Sequence, residues 1–373
     1  MVANIAETKT GNKMFASFRT GAWWGQGEVF DDPGLTGREV LKLAKLDWKV
    51  HKVETFAPFE FKGETQVYDV PMSLAIVRDP VGGEDQPSVL GTVGAGYEMF
   101  QNQELVDMMD ALAGDGSIQY EVAGALGKGE IVWVLAKIPN LEKAIGEDVS
   151  IPYFLSITGH IGNKNQVNFP TGVRVVCQNT MRMAEYLHRG KVGLSRGYSF
   201  RHTKNIRDKV NDMIANYHKA IEAWDRTHEI NKALAGIQFD TKMKDDFLLF
   251  MADPDYSPKV EEARQKAIDE ATDKDVREKL EKRSDNQTSR RKNKVEALEK
   301  ILASPTCQVN GTKDTLYSLL QAGIEWIDHE RSTRGEGDQE KASSRFESAN
   351  FAGSGVDLKE RAFARAMEVL QAA

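Results

Sequence analysis

Apolar and polar positions change rhythm along this chain. After an irregular opening over residues 1–35, Thr36-Gly37-Arg38-Glu39 reads as a capping box, with Val40, Leu41, Leu43 and Ala44 as the apolar face of a helix. Val50–Phe61 and Gln66–Val77 then read as strands joined by a turn at Lys62-Gly63, followed by a Gly82-Gly83 turn and a strand over Ser88–Gly96. Leu105, Val106, Met108, Met109 and Leu112 recur at helical spacing behind Asn102. Gln119–Ala125 and Glu130–Ile138 predict a hairpin. Tyr153–Ile161 and Gln166–Cys177 predict a second one, around the turn Gly162-Asn163-Lys164-Asn165. Asn179 or Thr180 is placed to cap a helix reaching about Leu187.

Beyond residue 205 the texture becomes helical and charged. Val210, Met213, Ile214, Tyr217, Ile221 and Trp224 fall three and four apart. The stretch 257–304 predicts two solvated helices meeting near Ser284–Ser289, with an apolar seam too thin for a firm coiled coil. Leu316 to Ile327 marks another helix, Arg331–Gly355 a long polar loop, and Leu358 to Leu370 a closing helix. The expected fold class is α+β: an irregular segment 1–35, a core over 36–205 with antiparallel, β-rich, hairpin-connected strands and packed helices, and a mainly helical region over 206–373.

Composition narrows the possibilities. The 373 residues are 40% hydrophobic and 28% charged, a globular balance with a net charge of −7. Two cysteines, Cys177 and Cys307, cannot build a disulfide scaffold or a four-thiolate zinc site. The first residues carry no apolar leader, and the longest apolar runs are far short of the ~20 residues of a spanning helix. These features predict a cytoplasmic protein with no membrane association.

The charge is unevenly spread. Between His160 and Val210 ten cations face only Glu185 and Asp208, a net +8 that leaves −15 for the rest of the chain. A local field of that sign marks a polyanion site. Lys164, Arg174, Arg182, Arg189, Lys191, Arg196, Arg201 and Lys204 are candidates to neutralise phosphates, with His202 beside them and Tyr198 and Phe200 able to stack on bases. The competing reading is a solvated basic face paired with acidic helices or with another subunit.

Other motifs carry less. Gly91-Thr92-Val93-Gly94-Ala95-Gly96 lacks the Gly-Lys-Ser/Thr ending of a phosphate loop and reads as a tight turn, so no nucleotide cofactor is expected. Cys177 ends a buried-looking strand and packs as a small hydrophobe rather than a nucleophile. No two histidines sit four apart. Asp253, Asp255, Glu261 and Glu262 read as a solvated helix start before a magnesium site. Trp23-Trp24, Trp133, Trp224 and Trp326 read as core or contact residues. No catalytic constellation emerges, and the chain reads as a non-enzyme.

Several segments together resemble the phage/plasmid-like protein family, a family catalogued as a domain of unknown function. They are Trp24 to Gly27, Leu46-Asp47-Trp48-Lys49-Val50, Leu90 to Gly94, Tyr97 to Asn102, Ala123 to Gly129 with Val132-Trp133, Val173 to Thr180, and Arg201-His202-Thr203. The likeness spans about residues 20–370. Trp23-Trp24 departs from the Trp-His common in the family. The resemblance implies a setting of phages, plasmids and integrative elements, near replication and recombination genes. A hairpin with a basic tip, then a strand and a capped helix, also resembles the core of phage single-strand annealing proteins of the RecT, Red-beta, Erf and Rad-type kinds. That likeness implies single-stranded DNA as partner and a homo-oligomeric ring or filament. The expected function is therefore ATP-independent binding of single-stranded DNA with annealing. The alternatives are a self-assembling or host-protein-binding structural protein, and a metal-dependent nuclease.

Overall fold

The computed structural model describes residues 6–8, 11, 13–18, 28–30, 32, 34–113, 118–174, 180–182, 184–186, 192–194, 198–334, 341, 344–345, 348–349 and 353–372. Its first half is built on strands β1 (Phe15–Ser17), β2 (Glu28–Val29), β3 (Val50–Phe61), β4 (Glu64–Arg78), β5 (Ser88–Gly94), β6 (Gln119–Leu126), β7 (Ile131–Lys137), β8 (Lys143–Ile145), β9 (Asp148–Gly159), β10 (Gln166–Arg174), β11 (Thr180–Arg182), β12 (Ala184–Tyr186), β13 (Val192–Leu194) and β14 (Tyr198–Phe200). Helices α1 (Gly37–Leu43) and α2 (Asn102–Ala113) interrupt them. The second half comprises α3 (Ile206–Ala215), α4 (His218–Ala235), α5 (Thr241–Ala252), α6 (Pro258–Asp269), α7 (Lys274–Leu302), α8 (Leu316–Glu325), a π-helical turn (Trp326–Glu330) and α9 (Ser354–Ala372). The fold is α+β, with antiparallel sheets in the first half and helices in the second.

The main sheet runs β11-β10-β9-β7-β6-β1-β2, with β14 on β10 and β8 on β9. Only β1–β2 is parallel within it. Its two faces carry separate apolar sets. Val132, Val134, Ala136 and Phe154 join α1, α2 and α3 in the larger core, while Trp133, Leu135, Tyr153, Leu155 and Ile157 form a smaller one on the reverse face. That alternation is what a strand's two-residue period dictates for a sheet covered on both sides. A third core belongs to the helices, around Phe247, Leu298, Leu320, Trp326 and Phe363.

Local chemistry sets the element ends. The Thr36 capping box is present: Thr36 N–H donates to Glu39 Oε2 at 2.9 Å, and this bond holds the Glu39 carboxyl below its ordinary range. Gly37 follows because any Cβ there would lie 2.5 Å from Val106 Cβ, where α1 crosses α2. Gly91 is paired within β5, whereas Gly94 ends that strand and opens the expected turn, closed by Tyr97 N–H donating to the Gly94 carbonyl at 3.0 Å.

Several sequence expectations change. The helix expected from Asn179 or Thr180 to Leu187 is not formed: Thr180–Arg182 pairs with β10, and Ala184–Tyr186 pairs with β13. The two helices expected to meet near Ser284–Ser289 are divided earlier, at 270–273, and α7 runs unbroken through that polar stretch. Segment 1–35 contributes two strands. Within 331–355, Lys341, Ser344–Arg345 and Ser348–Ala349 lie in helical turns. Trp133, Trp224 and Trp326 are core residues, whereas Trp23, Trp24 and Cys177 lie outside the described residues.

The second sheet, β3-β4-β5, departs from the rest. Its β3–β4 hairpin outruns β5, and every residue from Phe56 to Asp69 is exposed. Val70 to Ser73 bulge opposite Thr55, with Met72 at φ 60° and 83% exposed, so the hairpin bends where it leaves β5. At its root Arg78, 1% exposed, grips Glu84 with both guanidinium ends at 2.6 and 2.7 Å and donates to the Lys128 carbonyl at 2.6 Å.

Candidate nucleic-acid interface

The candidate interface grows from the turn between β9 and β10. Gly159 and Lys164 are packed so closely that a Cβ on Gly159 would meet the lysine side chain. Gly162 rests against the Thr92 carbonyl of β5, which ties this turn to the second sheet. β14 then pairs with the first residues of β10, Gln166 opposite Phe200 and Asn168 opposite Tyr198, and Asn165 Nδ2 donates to Ser199 Oγ at 2.9 Å. Arg201 therefore follows directly beside the Lys164 turn, with Lys204 three residues on, and both are exposed.

A buried polar scaffold fixes this end. His202 is 6% exposed and stacks on Tyr97, 4.7 Å between centroids. Its Nδ1 lies 3.0 Å from the Glu98 carbonyl, and Glu98 N–H donates back to the His202 carbonyl at 2.9 Å. A carbonyl only accepts, so Nδ1 carries the proton and buried Nε2 is left without a hydrogen-bond partner. Burial pushes the His202 imidazole below its ordinary value, against the pull of the Glu98 carbonyl. Tyr97 Oη donates to the Gly159 carbonyl at 2.8 Å, and burial pushes its phenol up. Arg207 bonds Glu104 and Glu98, both at 2.6 Å, and these bonds hold its guanidinium above its ordinary value.

Below lies His160, 1% exposed and edge-on to Trp48 at 5.4 Å. Its Nε2 lies 2.8 Å from Asn102 Oδ1, and Asn102 Nδ2 donates to the Leu46 carbonyl. That arrangement makes Nε2 the protonated nitrogen. Burial first, and the nearby His202 second, push its pKa down to about 3.

The expected residues thus separate into groups. Lys164 and Arg201 lie on neighbouring segments, and Lys204 follows three residues on. His202 is present but faces inward, as a positioning group rather than a phosphate contact. Tyr198 and Phe200 are half-buried, 6.2 Å apart, and lean on the larger core. Arg174 ends β10, eight residues beyond Gln166 or roughly 25 Å along the strand, and Arg182 pairs opposite Thr171. The side chains of both, and Arg189, Lys191 and Arg196 altogether, lie outside the described residues. Sequence reasoning missed Lys52, whose ammonium donates to the Tyr97 carbonyl at 3.0 Å and adds a cation from β3. Its position one residue after His51, in an alternating strand, gave no sign that it would reach this end.

Among the described residues no group of three or more His, Cys, Asp or Glu side chains is placed to hold a metal ion, and no helix is long and apolar enough to cross a membrane. Asp253 and Glu261 converge on the Arg291 guanidinium, both pairing with its Nη1, at 3.7 and 3.4 Å.

An α+β scaffold with a cationic sheet end is a class that many families share. The model of the family described as Domain of unknown function (DUF932) matches residues 89–349, more than half of the chain, and the protein belongs to that family. Comparison with curated proteins and with solved structures gives no match.

Proposed function

We propose that the protein binds single-stranded nucleic acid at the end of its main sheet where the β9–β10 turn meets β14, without nucleotide hydrolysis, and promotes pairing of complementary strands. The observation that carries this reading is the register that sets Arg201 beside the Lys164 turn at one end of β10, with Lys204 three residues on, within a stretch of net +8. Cations gathered at one exposed end of a sheet suit a flexible polyanion, which can bend to bring successive phosphates to them. Annealing asks for that backbone hold while the bases stay accessible. The likeness to the phage/plasmid-like family supports a mobile-element setting in a bacterial cytoplasm.

The test is fluorescence anisotropy of a labelled single strand and of its duplex over a salt series, with complement added afterwards. The expected result is salt-dependent binding that prefers the single strand, followed by faster pairing. Arg201→Ala with Lys204→Ala lowers affinity and flattens the salt slope by about 0.7 for each phosphate that the variant no longer neutralises. Equal slopes in variant and parent remove these residues from the interface. No binding at low salt overturns the reading.

A further inference from the structure

Eight of the eleven large hydrophobic side chains exposed among the described residues lie in the β3-β4-β5 sheet. Six of them crowd the outer hairpin: Phe56, Phe59, Phe61, Val67, Tyr68 and Met72. Register assigns them to both faces. Phe59, Phe61 and Tyr68 share one, while Phe56 and Val67 share the other. The four aromatic rings are each about half exposed, so at ~200 Å² per ring the face of Phe59, Phe61 and Tyr68 leaves roughly 300 Å² of apolar surface open and the face of Phe56 and Val67 about 200 Å². The larger face is comparable to the largest patch on many lone chains, and a partner that wraps the ribbon would cover both, more than half of the ~800 Å² one partner gives to a standard interface. A two-stranded ribbon in water does not keep such a surface open without a use.

Charge identifies what covers it. Glu54, Glu60, Glu64 and Asp69 face only Lys62, a net −3. This ribbon repels phosphates and anionic lipid, and it repels its own twin. It calls for a cationic protein surface with room for a ring. The same chain carries one. From Lys282 to Lys294, α7 sets six cations against Asp285 alone. Beside it, α6 and the turn before it leave a cleft of about 370 Å³ whose lining includes Tyr256, Val260, Arg290 and Arg291 together with the carboxylates Asp253 and Asp255. Arg291 already lies over the Tyr256 ring at 4.1 Å, the contact an incoming aromatic would extend. The neighbouring carboxylates are engaged, Asp253 and Glu261 with Arg291 and Asp255 with Arg361, whereas Arg283 and Arg290 make no ion pair among the described residues. Val260 is 45% exposed at the same place.

We propose that the β3–β4 arm of one protomer docks its aromatic, acidic tip against the cationic 282–294 stretch of α7, beside the α6 cleft, on a second copy of this chain. Donor and acceptor are different surfaces, so the contact is head-to-tail and propagates into a closed ring or an open filament. This assembly is independent of the nucleic-acid reading, because it uses none of Lys164, Arg201 and Lys204.

The test is sedimentation velocity of nuclease-treated, full-length protein over a range of concentration and salt. The parent assembles and dissociates as salt rises. Phe59→Ser with Phe61→Ser, and separately Arg283→Glu with Arg290→Glu, each give monomers with unchanged far-ultraviolet circular dichroism. Glu60→Lys with Glu64→Lys, at the solvated tip, does the same without touching an apolar residue. An equimolar mixture of the arm variant and the α7 variant forms a dimer and stops there, since one intact donor meets one intact acceptor. A parent that is monomeric at every concentration overturns the proposal. So do assemblies that persist in the variants, or a mixture that fails to pair.

Discussion

The imidazole of His202 lies on the ring of Tyr97, 4.7 Å between centroids and 15° between planes. Tyr97 belongs to the loop between β5 and α2, and His202 follows β14, so one stack fastens the cation-bearing segment to the rest of the core. Tyr97→Ala removes the ring and its bond to the Gly159 carbonyl. Urea unfolding should register a loss of about 2–4 kcal/mol, with weaker single-strand binding as Arg201 and Lys204 lose their support. Tyr97→Phe keeps the stack and forfeits about 1 kcal/mol. Equal damage from both variants would place the effect in the hydroxyl.

His160 makes stability fall in acid. The ordinary imidazole value is 6.5, while the folded protein holds this one down to about 3. Above pH 6.5 both folded and unfolded states are neutral, and its contribution is complete. Below it the unfolded chain takes up the proton first, so stability drops by about 1.4 kcal/mol per pH unit until the folded value is reached. His202, shifted the same way, adds to the slope. Denaturant midpoints at pH 7 and pH 5 should therefore separate widely in the parent and less in His160→Gln. Parallel shifts in both would sink the assignment.

Arg78 holds the arm's root. Its guanidinium reaches Glu84, the Asp79 carbonyl and the Lys128 carbonyl, and lies 5.7 Å from the Trp48 ring. Arg78→Met leaves the largely buried Glu84 carboxylate without its counter-charge. We expect a cost of about 3–5 kcal/mol. Arg78→Met with Glu84→Gln should recover part of it, and the double-mutant cycle in urea measures how much.

A second buried pair sits in the helical half. Lys359 of α9 meets Asp328 of the π-helical turn at 2.5 Å, with both side chains 5% exposed or less. Lys359→Met alone should destabilise by about 3–5 kcal/mol, and Lys359→Met with Asp328→Leu by far less, because the pair is then removed together. Thermal melts of the three variants decide it. A double variant as weak as the single one would show that neighbours depend on the pair.

The sequence was most legible where periodicity alone decides. Val50–Phe61 and its partner strand matched because β-branched and aromatic residues alternate across a Lys62-Gly63 turn. The stretch at 180–187 misled because Thr180 is a sound helix cap, yet those residues are recruited by β10 and β13, partners that local propensity does not register. Residues 284–289 looked like a break because Ser, Asp and Asn are poor helix formers, but twenty-nine residues of α7 carry them through. At the candidate site the net charge was legible. The inward turn of His202 was not, because burial depends on Tyr97, about a hundred residues away. Nor was the arm's exposure, since an alternating strand reads alike whether its faces meet a core or water.

Strand β1 lies on β6, with Phe15 opposite Gly124, so the edge of the main sheet waits for most of the first half to leave the ribosome. The β3–β4 hairpin, closed by a two-residue turn, has no such wait. During synthesis its aromatic tip is thus finished long before α6 and α7 exist. On a polysome, neighbouring nascent chains display sticky ribbons with nothing yet to receive them, and the carboxylates that flank those rings keep one ribbon from seizing another.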